Sequence, residues 1–270
     1  MAPSRTALMA AAARAAHLLV DAPPVIFADT HAHAMLGPRA EELLSYHRNN
    51  GSHLVLASAR AAVLTRSRFT EDRVRGFSQY VILGAGLDTY AARSAGPRVF
   101  EVDHPDTQSW KRALGVPSTA VYVPVDLTTD PLMPALISNG FNPAEPALVS
   151  CLGVTMYLPV KAIIKTLTEL ATCAPGTELI ADYMLPPELR DERGQTYVDM
   201  VAPNTADNGE PWCTFFRPED LTELLACNGF TDIRHVTERD AVNASLWDRS
   251  DALVPAKLSM ITHARLQEVG

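Results

Sequence analysis

The sequence contains little cysteine, and the cysteines form no recognisable pattern. Four occur in 270 residues, with no C-x-x-C pair and no paired histidine spacing near them. This excludes the usual zinc-ligand patterns and a disulfide framework, so we expect no metal site and free, buried thiols. The cysteines are Cys151, Cys173, Cys213 and Cys227.

A basic surplus and a long apolar run are also missing. The 23 Lys and Arg residues are outnumbered by 31 Asp and Glu residues, giving a net charge of −8, which argues against nucleic acid as a partner. Arg5, Arg14 and His17 interrupt the alanine-rich start, Met1–Val20. We therefore expect no secretory leader and no membrane span there, and a cytoplasmic location without a membrane partner.

What is present is ordinary globular composition, 47% hydrophobic and 20% charged, in a chain long enough for one large α/β domain. The first quarter predicts helices over residues 4–20, with Ser4 as the N-cap, over Asp29–His47 with one break, and over Leu54–Val63. The polar cluster Thr65–Arg73 is interpreted as following the end of the last helix.

From Gln79 onward, short apolar runs alternate with stretches of helical length. This alternation indicates repeated βαβ units and a buried parallel sheet. The predicted strands are Tyr80–Leu83, Arg98–Val102, Ala120–Val125, Ala147–Leu152 and Glu178–Ala181.

The last third of the chain predicts a lid and the end of the sheet. The polar stretch 184–212 is too long for an ordinary connection, so it is interpreted as an irregular lid or insertion. Pro218 and the acids after it open a helix that stops at Asn228. Two final strands are predicted near Asp232–Glu238 and Lys257–Ala264.

The most specific local motif is a glycine turn after the first predicted strand. Gly84 and Gly86 flank Ala85, and a missing Cβ at such a turn lets the backbone approach a ligand closely. A dinucleotide fingerprint would place a third glycine where Thr89 stands, so the turn suits a ligand without a pyrophosphate better. A tight turn that binds no ligand is the alternative.

Carboxylates follow the next two strands at the same predicted edge of the sheet. Asp103 ends the second strand 17 residues after Gly86, where it can accept hydrogen bonds from ribose hydroxyls; Glu101 is a competing carboxylate on the same strand. Asp126 ends the third strand and can accept from an adenine amino group, with Leu127 as an apolar wall. The alternative for Asp126 is that it caps the turn that follows it.

With these residues in place, the sequence resembles the leucine carboxyl methyltransferase-like family of class I S-adenosylmethionine (SAM)-dependent methyltransferases, in particular its bacterial branch. The resemblance spans nearly the whole chain, and the string Gly84–Thr89 is its most specific part. The other matching stretches are Ser4–Ala7, Arg14–His17, Arg66–Asp72, Gln79–Leu83, Phe100–Pro105, Val123–Leu127, Leu152–Leu158 and Phe215–Leu225.

The resemblance implies a Rossmann-like class I methyltransferase fold, with a seven-stranded, mostly parallel α/β sheet that ends in an antiparallel hairpin. It implies a single domain over 1–270 that binds SAM and releases S-adenosylhomocysteine (SAH). The expected parts are a helical N-terminal cap (1–66), a SAM-binding half (79–183), a lid or substrate segment (184–212) and a C-terminal helix with a strand hairpin (213–270).

The resemblance also implies which residues hold SAM. Gly84 and Gly86 would line the methionine part, Asp103 would bind the ribose, and Asp126 with Leu127 would hold the adenine. The remaining expected cofactor-binding residues are Ala85, His104, Leu152 and Gly153, of which Leu152 stands where eukaryotic members carry a glutamate.

An arginine before the first strand is expected to bind the carboxylate of SAM. Arg68 is the first choice and Arg66 the second, since a guanidinium fork suits a carboxylate. The alternative for Arg68 is an ion pair with Glu71 or Asp72.

The sequence assigns no catalytic base. Tyr157, Tyr183 and His33 are the candidates, and Tyr157 and Tyr183 are predicted to face the acceptor space together with Asp182 and Trp212. The expected reaction is methylation of an oxygen, carboxylate or hydroxyl, on a small molecule, with the cap and the lid covering the acceptor. Two alternatives stay open: a SAM-binding protein without methyl transfer, and a nicotinamide-dependent oxidoreductase on the same scaffold.

Overall fold

The structure, a computed structural model, describes residues 4–267 and contains one seven-stranded sheet. The strands are β1 (Gln79–Leu83), β2 (Arg98–Asp103), β3 (Val121–Pro124), β4 (Ala147–Cys151), β5 (Glu178–Met184), β6 (Phe230–Val236) and β7 (Ser259–Leu266). Their order across the sheet is β3-β2-β1-β4-β5-β7-β6.

Six strands run parallel, and β7 runs antiparallel to both of its neighbours, β5 and β6. Every residue of β1, β4 and β5 is buried, as expected of central strands covered by helices on both faces. The predicted α/β fold with its terminal hairpin is therefore confirmed. The last two strands are shifted by about two residues from the predicted ranges.

Helices cover the sheet, and the helices that precede β1 in the chain form an N-terminal layer. Within residues 4–267 they are α1 (Arg5–Val20), α2 (Ala40–Asn50), α3 (Leu54–Val74), α4 (Tyr90–Arg93), α5 (Pro105–Ala113), α6 (Leu132–Ser138), α7 (Val160–Leu170), α8 (Glu192–Asp207) and α9 (Pro218–Cys227). In the described part of the chain, no helix has both the length and the apolar character needed to cross a bilayer.

Helix α1 begins as predicted, since the side chain of Ser4 accepts a hydrogen bond from the backbone N–H of Ala7. Ala11, Ala12 and Ala16 have no exposed surface, and their small size lets α1 pack closely in the N-terminal helical layer. Arg14 extends from α1 to the glycine turn, where it donates to the carbonyl of Leu87 at 2.7 Å. The N-terminal layer is therefore attached directly to the predicted ligand turn.

Two segments predicted to be non-helical are helical. Helix α3 continues through the polar cluster to Val74, because Phe69 packs in the core while Arg68 and Asp72 form an i, i+4 ion pair on the exposed side. The supposed irregular lid contains α8, whose N-cap Asp191 accepts from the N–H of Gly194 at 2.6 Å. In both segments a charged or polar run lies on one face of a helix, and such a run resembles a loop in the sequence.

Candidate functional site

The glycine turn after β1 leaves no space for side chains. Gly84 and Gly86 adopt φ values of 64° and 49°, in the left-handed region that favours glycine. A Cβ on Gly84 would lie 2.3 Å from Val154, and one on Gly86 would lie 3.1 Å from the Cβ of Ala7 in α1. The turn is thus held between the segment after β4 and the first turn of α1.

The carboxylate of Asp103 is tied to this turn. Its Oδ2 accepts from the backbone N–H of Gly86 at 2.5 Å, and its Oδ1 accepts from the N–H of His104 at 2.6 Å. Burial raises the pKa of Asp103, while these backbone donors oppose the rise. Each carboxylate oxygen keeps a second lone pair, so Asp103 can still accept from two hydroxyls. The side chain of His104 is exposed and caps α5.

Glu101, the competing carboxylate, belongs to a buried ion pair. Its Oε2 lies 2.5 Å from Nζ of Lys111, and Lys111 also donates to the carbonyl of Asp88 at 2.6 Å. Burial raises the pKa of Glu101 to about 7. Through Lys111 the pair holds the backbone at Asp88, whereas Asp103 is the carboxylate that contacts the glycine turn itself.

The end of β3 places Asp126 and Leu127 at the same edge of the sheet. Oδ1 of Asp126 accepts from the backbone N–H of Thr128 at 2.8 Å and from its hydroxyl at 2.6 Å. These bonds hold the pKa of Asp126 below its usual value. The turn-capping role considered for Asp126 is therefore present, while Leu127 is almost fully buried.

A second polar cluster lies where β4 and β5 end. Asp182 accepts from the backbone N–H of Gly153 at 2.5 Å through Oδ1, and from Nη1 of Arg66 at 2.7 Å through Oδ2. Gly153 has a φ of 72°, and a Cβ there would lie 2.4 Å from Nη2 of Arg66. The guanidinium of Arg66 is thus packed against the turn after β4. The neighbouring Leu152 packs in the core on the α3 side of the sheet.

The structure does not bring Arg68 to this cluster. Two residues along a helix correspond to a rotation of about 200°, so Arg66 and Arg68 point to different sides of α3. Arg68 is exposed, and its Nε donates to Asp72 at 2.8 Å, as in the ion-pair alternative. Sequence alone could not choose between the two arginines because the predicted helix ended before both.

An aromatic wall stands beside the second cluster. Tyr197 of α8 and Trp212 stack with their ring centroids 6.5 Å apart and their planes 8° from parallel. Tyr157 packs in the same group, with Met156 and Met184. This wall draws on the predicted lid segment and on the turn after β4, so an apolar molecule bound there would lie close to Arg66.

Two of the predicted catalytic candidates lie elsewhere. Tyr183 is next to Asp182 in β5 and therefore points to the opposite face, where its hydroxyl bonds Nδ1 of His235 at 2.9 Å and its ring packs against Phe216. His33 is exposed at the start of a short 3₁₀ segment. Of the three candidates, only Tyr157 belongs to the aromatic wall.

Sequence reasoning missed one buried carboxyl, Glu238, which follows β6. Its exposure is 3%, its Oε2 accepts from the N–H of Ala256 at 3.1 Å, and its Oε1 has no partner among the residues the structure describes. Burial raises the pKa of Glu238 to about 8. An acid at the end of a strand is a usable signal, as it is for Asp103. The sequence predicts a strand that ends at Glu238, whereas β6 ends two residues earlier, at Val236.

Comparison with known proteins places the chain in a family. The leucine carboxyl methyltransferase family profile matches residues 7–171. YktD of Bacillus subtilis (strain 168), provisionally named a SAM-dependent methyltransferase, is 29% identical over 71% of this chain and 66% of its own length. A protein of Mycobacterium sp. (strain KMS), named in the same way, is 33% identical over 68% of this chain and 59% of its own. The chain thus spans about two thirds or less of these relatives.

Solved structures share the fold. A provisionally assigned methyltransferase from Thermobifida fusca YX superposes with a TM-score of 0.61 at 19% identity, covering 98% of this chain and 95% of that one. Human N-acetylserotonin methyltransferase in complex with SAM gives a TM-score of 0.53 at 18% identity, covering 85% of this chain and 60% of that one. The family match covers more than half of the chain and includes the glycine turn and both strand-end carboxylates. The chain therefore belongs to the leucine carboxyl methyltransferase family of SAM-dependent methyltransferases and has the class I fold.

Proposed function

We propose that this chain transfers the methyl group of SAM to an oxygen of a small molecule. The observation that carries the proposal is the pairing of Asp103 with the N–H of Gly86, which holds a carboxylate beside a glycine turn at the carboxyl edge of parallel strands. Ligands of open α/β sheets bind in the crevice at this edge. The alanine at position 85 completes a turn in which no bulky side chain blocks access.

The residues along the edge fit the parts of SAM in order. Asp103 would accept from the ribose hydroxyls, with the backbone of His104 beside it, and Leu127 would contact the adenine ring. The Oδ2 of Asp126 would accept from the adenine amino group, since Oδ1 already holds Thr128.

At the other end of the crevice, Arg66 takes the role expected of Arg68. Arg66 is 16% exposed in its side chain and uses Nη1 for Asp182, which leaves other N–H groups for the SAM carboxylate. Gly84 and Gly86 would line the methionine part, and Gly153 and Leu152 would close it from the side of β4. Arg68 is kept out of the site by its direction on α3.

SAM supplies a methyl group activated by its sulfonium charge, so the protein needs mainly to align an acceptor and exclude water. Tyr157, Tyr197 and Trp212 provide an apolar wall for the acceptor beside the second polar cluster. An acceptor oxygen could belong to a carboxylate, which needs no base, or to a hydroxyl, which does.

The cap and lid segments would cover the acceptor. The hydroxyl of Ser4 donates to Oε1 of Glu210 at 2.6 Å, and the N–H of Thr6 donates to Oε2 at 3.3 Å. Helix α1 is thus latched to the end of the 184–212 segment, above the turn at Gly86. This latch makes the two segments one cover over the proposed site.

Isothermal titration with SAM, SAH and NADH tests the cofactor. We expect SAM and SAH to bind and NADH to give no heat of binding, because Thr89 occupies the place of the third glycine and is buried with its hydroxyl on Asp29. Tight NADH binding with a silent SAM titration would overturn the proposal. Acceptor screening with methyl-labelled SAM then tests transfer, and a label recovered only on nitrogen or carbon would reject the oxygen assignment.

A further inference from the structure

Glu238 lies at the same edge of the sheet as the second polar cluster. Asp182 of β5 and Val236 of β6 both pair with Ile261 of β7, so the three residues form one row across the sheet. Strands β5 and β6 run in the same direction, and neighbouring strands are about 4.8 Å apart. Two residues past Val236, Glu238 therefore lies just beyond the carboxyl edge on which Asp182 holds Arg66.

The two oxygens of the Glu238 carboxyl differ in hydrogen bonding. The backbone N–H of Ala256 holds Oε2, and Oε1 is buried without a partner among residues 4–267. A buried acceptor without a donor costs free energy, so a bound molecule that supplies a donor would be favoured there. A ligand hydroxyl that reached this oxygen would satisfy it.

The charges around Glu238 are unbalanced. Burial raises the pKa of Glu238 most. The Ala256 N–H and the charge of Arg66 lower it, and the charges of Asp182 and Asp191 add to the rise. Burial raises the pKa of the Tyr197 hydroxyl to about 12, with a smaller contribution from the charge of Glu238. Since Arg66 pairs with Asp182 and is proposed to hold the SAM carboxylate as well, an anionic acceptor would meet three carboxyl groups and no further cation among these residues.

We propose that Glu238 accepts the proton of a hydroxyl-bearing methyl acceptor that binds between Glu238 and the aromatic wall of Tyr157, Tyr197 and Trp212. This inference rests on the proposed methyl transfer to oxygen and narrows it from carboxylate or hydroxyl to hydroxyl. A neutral hydroxyl supplies the donor that Oε1 lacks, whereas a carboxylate acceptor would add a negative charge next to existing ones.

In the proposed step, the acceptor oxygen forms a bond to the methyl carbon of SAM. The carbon–sulfur bond breaks and its electron pair stays on sulfur, which gives neutral SAH. The hydroxyl proton passes to Oε1 of Glu238. The products are therefore a methyl ether, SAH and a protonated carboxyl. They balance the hydroxyl, the sulfonium and the carboxylate in atoms and in charge. Glu238 then returns the proton to water, and the positive charge of the next SAM favours its ionised form.

Proton release on SAM binding tests the inference without an acceptor. Calorimetric titration of SAM near pH 7.5, in buffers of different ionisation enthalpy, counts the protons released on binding. We expect the wild type to release between about 0.5 and 0.8 proton more than Glu238→Gln, since the sulfonium would ionise a carboxyl that is mostly protonated in the free protein. The amino group of SAM titrates equally in both proteins and cancels in this difference. SAH, which lacks the sulfonium charge, should show no such difference.

The outcomes separate the two proposals. If the wild type does not bind SAM, the proposed function fails; if it binds SAM and Glu238→Gln releases the same number of protons, only the role of Glu238 fails. Glu178→Gln, a buried carboxyl at the opposite edge of the sheet, is the matched control and should release protons as the wild type does. If Glu238→Gln does not fold, difference infrared spectroscopy of the wild type decides. SAM, and not SAH, should remove the protonated-carboxyl band, and an unchanged band overturns the assignment.

Discussion

Nη1 of Arg66 lies 2.7 Å from Oδ2 of Asp182, although the two residues are 116 positions apart in the chain. The other oxygen of Asp182 holds the N–H of Gly153. One carboxylate therefore connects α3 to the turn after β4 and sets the direction of the guanidinium. The proposed grip on the SAM carboxylate depends on this contact.

Replacing Arg66 by Lys should weaken SAM binding about tenfold or more, because an ammonium cannot keep Asp182 and reach the SAM carboxylate with a planar fork. Calorimetric titration of SAM measures the change. Arg68→Lys is the matched control, since Arg68 is exposed and paired with Asp72. Equal affinities for wild type and Arg66→Lys, with a loss in Arg68→Lys, would restore Arg68 as the carboxylate ligand.

The choice between these arginines shows where sequence reasoning stopped. Asp103 and Asp126 were predicted as site residues from their positions after strands, because strand ends are readable from apolar runs, and the structure places both at the carboxyl edge. The direction of Arg66 depends on α3 continuing to Val74 and on Asp182, and neither the helix end nor a partner 116 residues away is visible in a local pattern.

Helix α8, within segment 184–212, and the burial of Glu238 are not predicted from the sequence, for different physical reasons. The polar exposed face of α8 and its internal Pro203 obscured the helix, whereas tertiary packing against α3 and the aromatic wall stabilises it. Glu238 is buried by elements distant in sequence, among them the loop that carries Ala256. Burial of a carboxyl cannot be inferred from its neighbours in the chain, since acids are exposed by default.

Asp103→Asn should weaken SAM binding by about 1–3 kcal/mol, the scale of a lost hydrogen bond to an ionised group, or roughly 5- to 160-fold in Kd. The amide still fills the space but offers fewer acceptor sites to Gly86, His104 and the ribose. Asp106→Asn, at the exposed start of α5, should leave the affinity unchanged. A normal SAM affinity in Asp103→Asn at unaltered thermal stability would remove Asp103 from the ribose site.

The free energy of unfolding should depend on pH through the titration of Glu238. Its folded pKa of about 8 lies above the ordinary value of 4.5, so the folded state keeps a proton that the unfolded state releases between these values. The contribution of this group to stability is therefore present at low pH and lost as the pH rises toward 8, by at most about 1.4 kcal/mol per pH unit. Glu238→Gln should gain stability relative to the wild type between about pH 6 and pH 8. Urea unfolding of both proteins at the two pH values measures this, and a constant difference would contradict it.

Breaking the latch should loosen the cover and leave the sheet intact. Glu210→Gln removes the charge that holds the hydroxyl of Ser4 and the N–H of Thr6. We expect faster hydrogen exchange of backbone amides in residues 5–10 and 205–212, with β1 unchanged, because local opening does not require the sheet to unfold. Glu41→Gln, from a surface ion pair with Arg48, serves as the control. Unchanged exchange in both segments would show that they are held by packing alone.

The place of β7 in the sheet has a consequence for biosynthesis. Strand β6 touches the rest of the sheet through β7, which comes last in the chain order of the strands. On the ribosome, β1 to β5 can therefore pair as they emerge, whereas β6 must wait for a partner that has not yet been made. The crevice proposed for SAM can therefore form while the chain is still growing. Glu238 reaches its final position only when β7 (Ser259–Leu266) pairs with both β5 and β6.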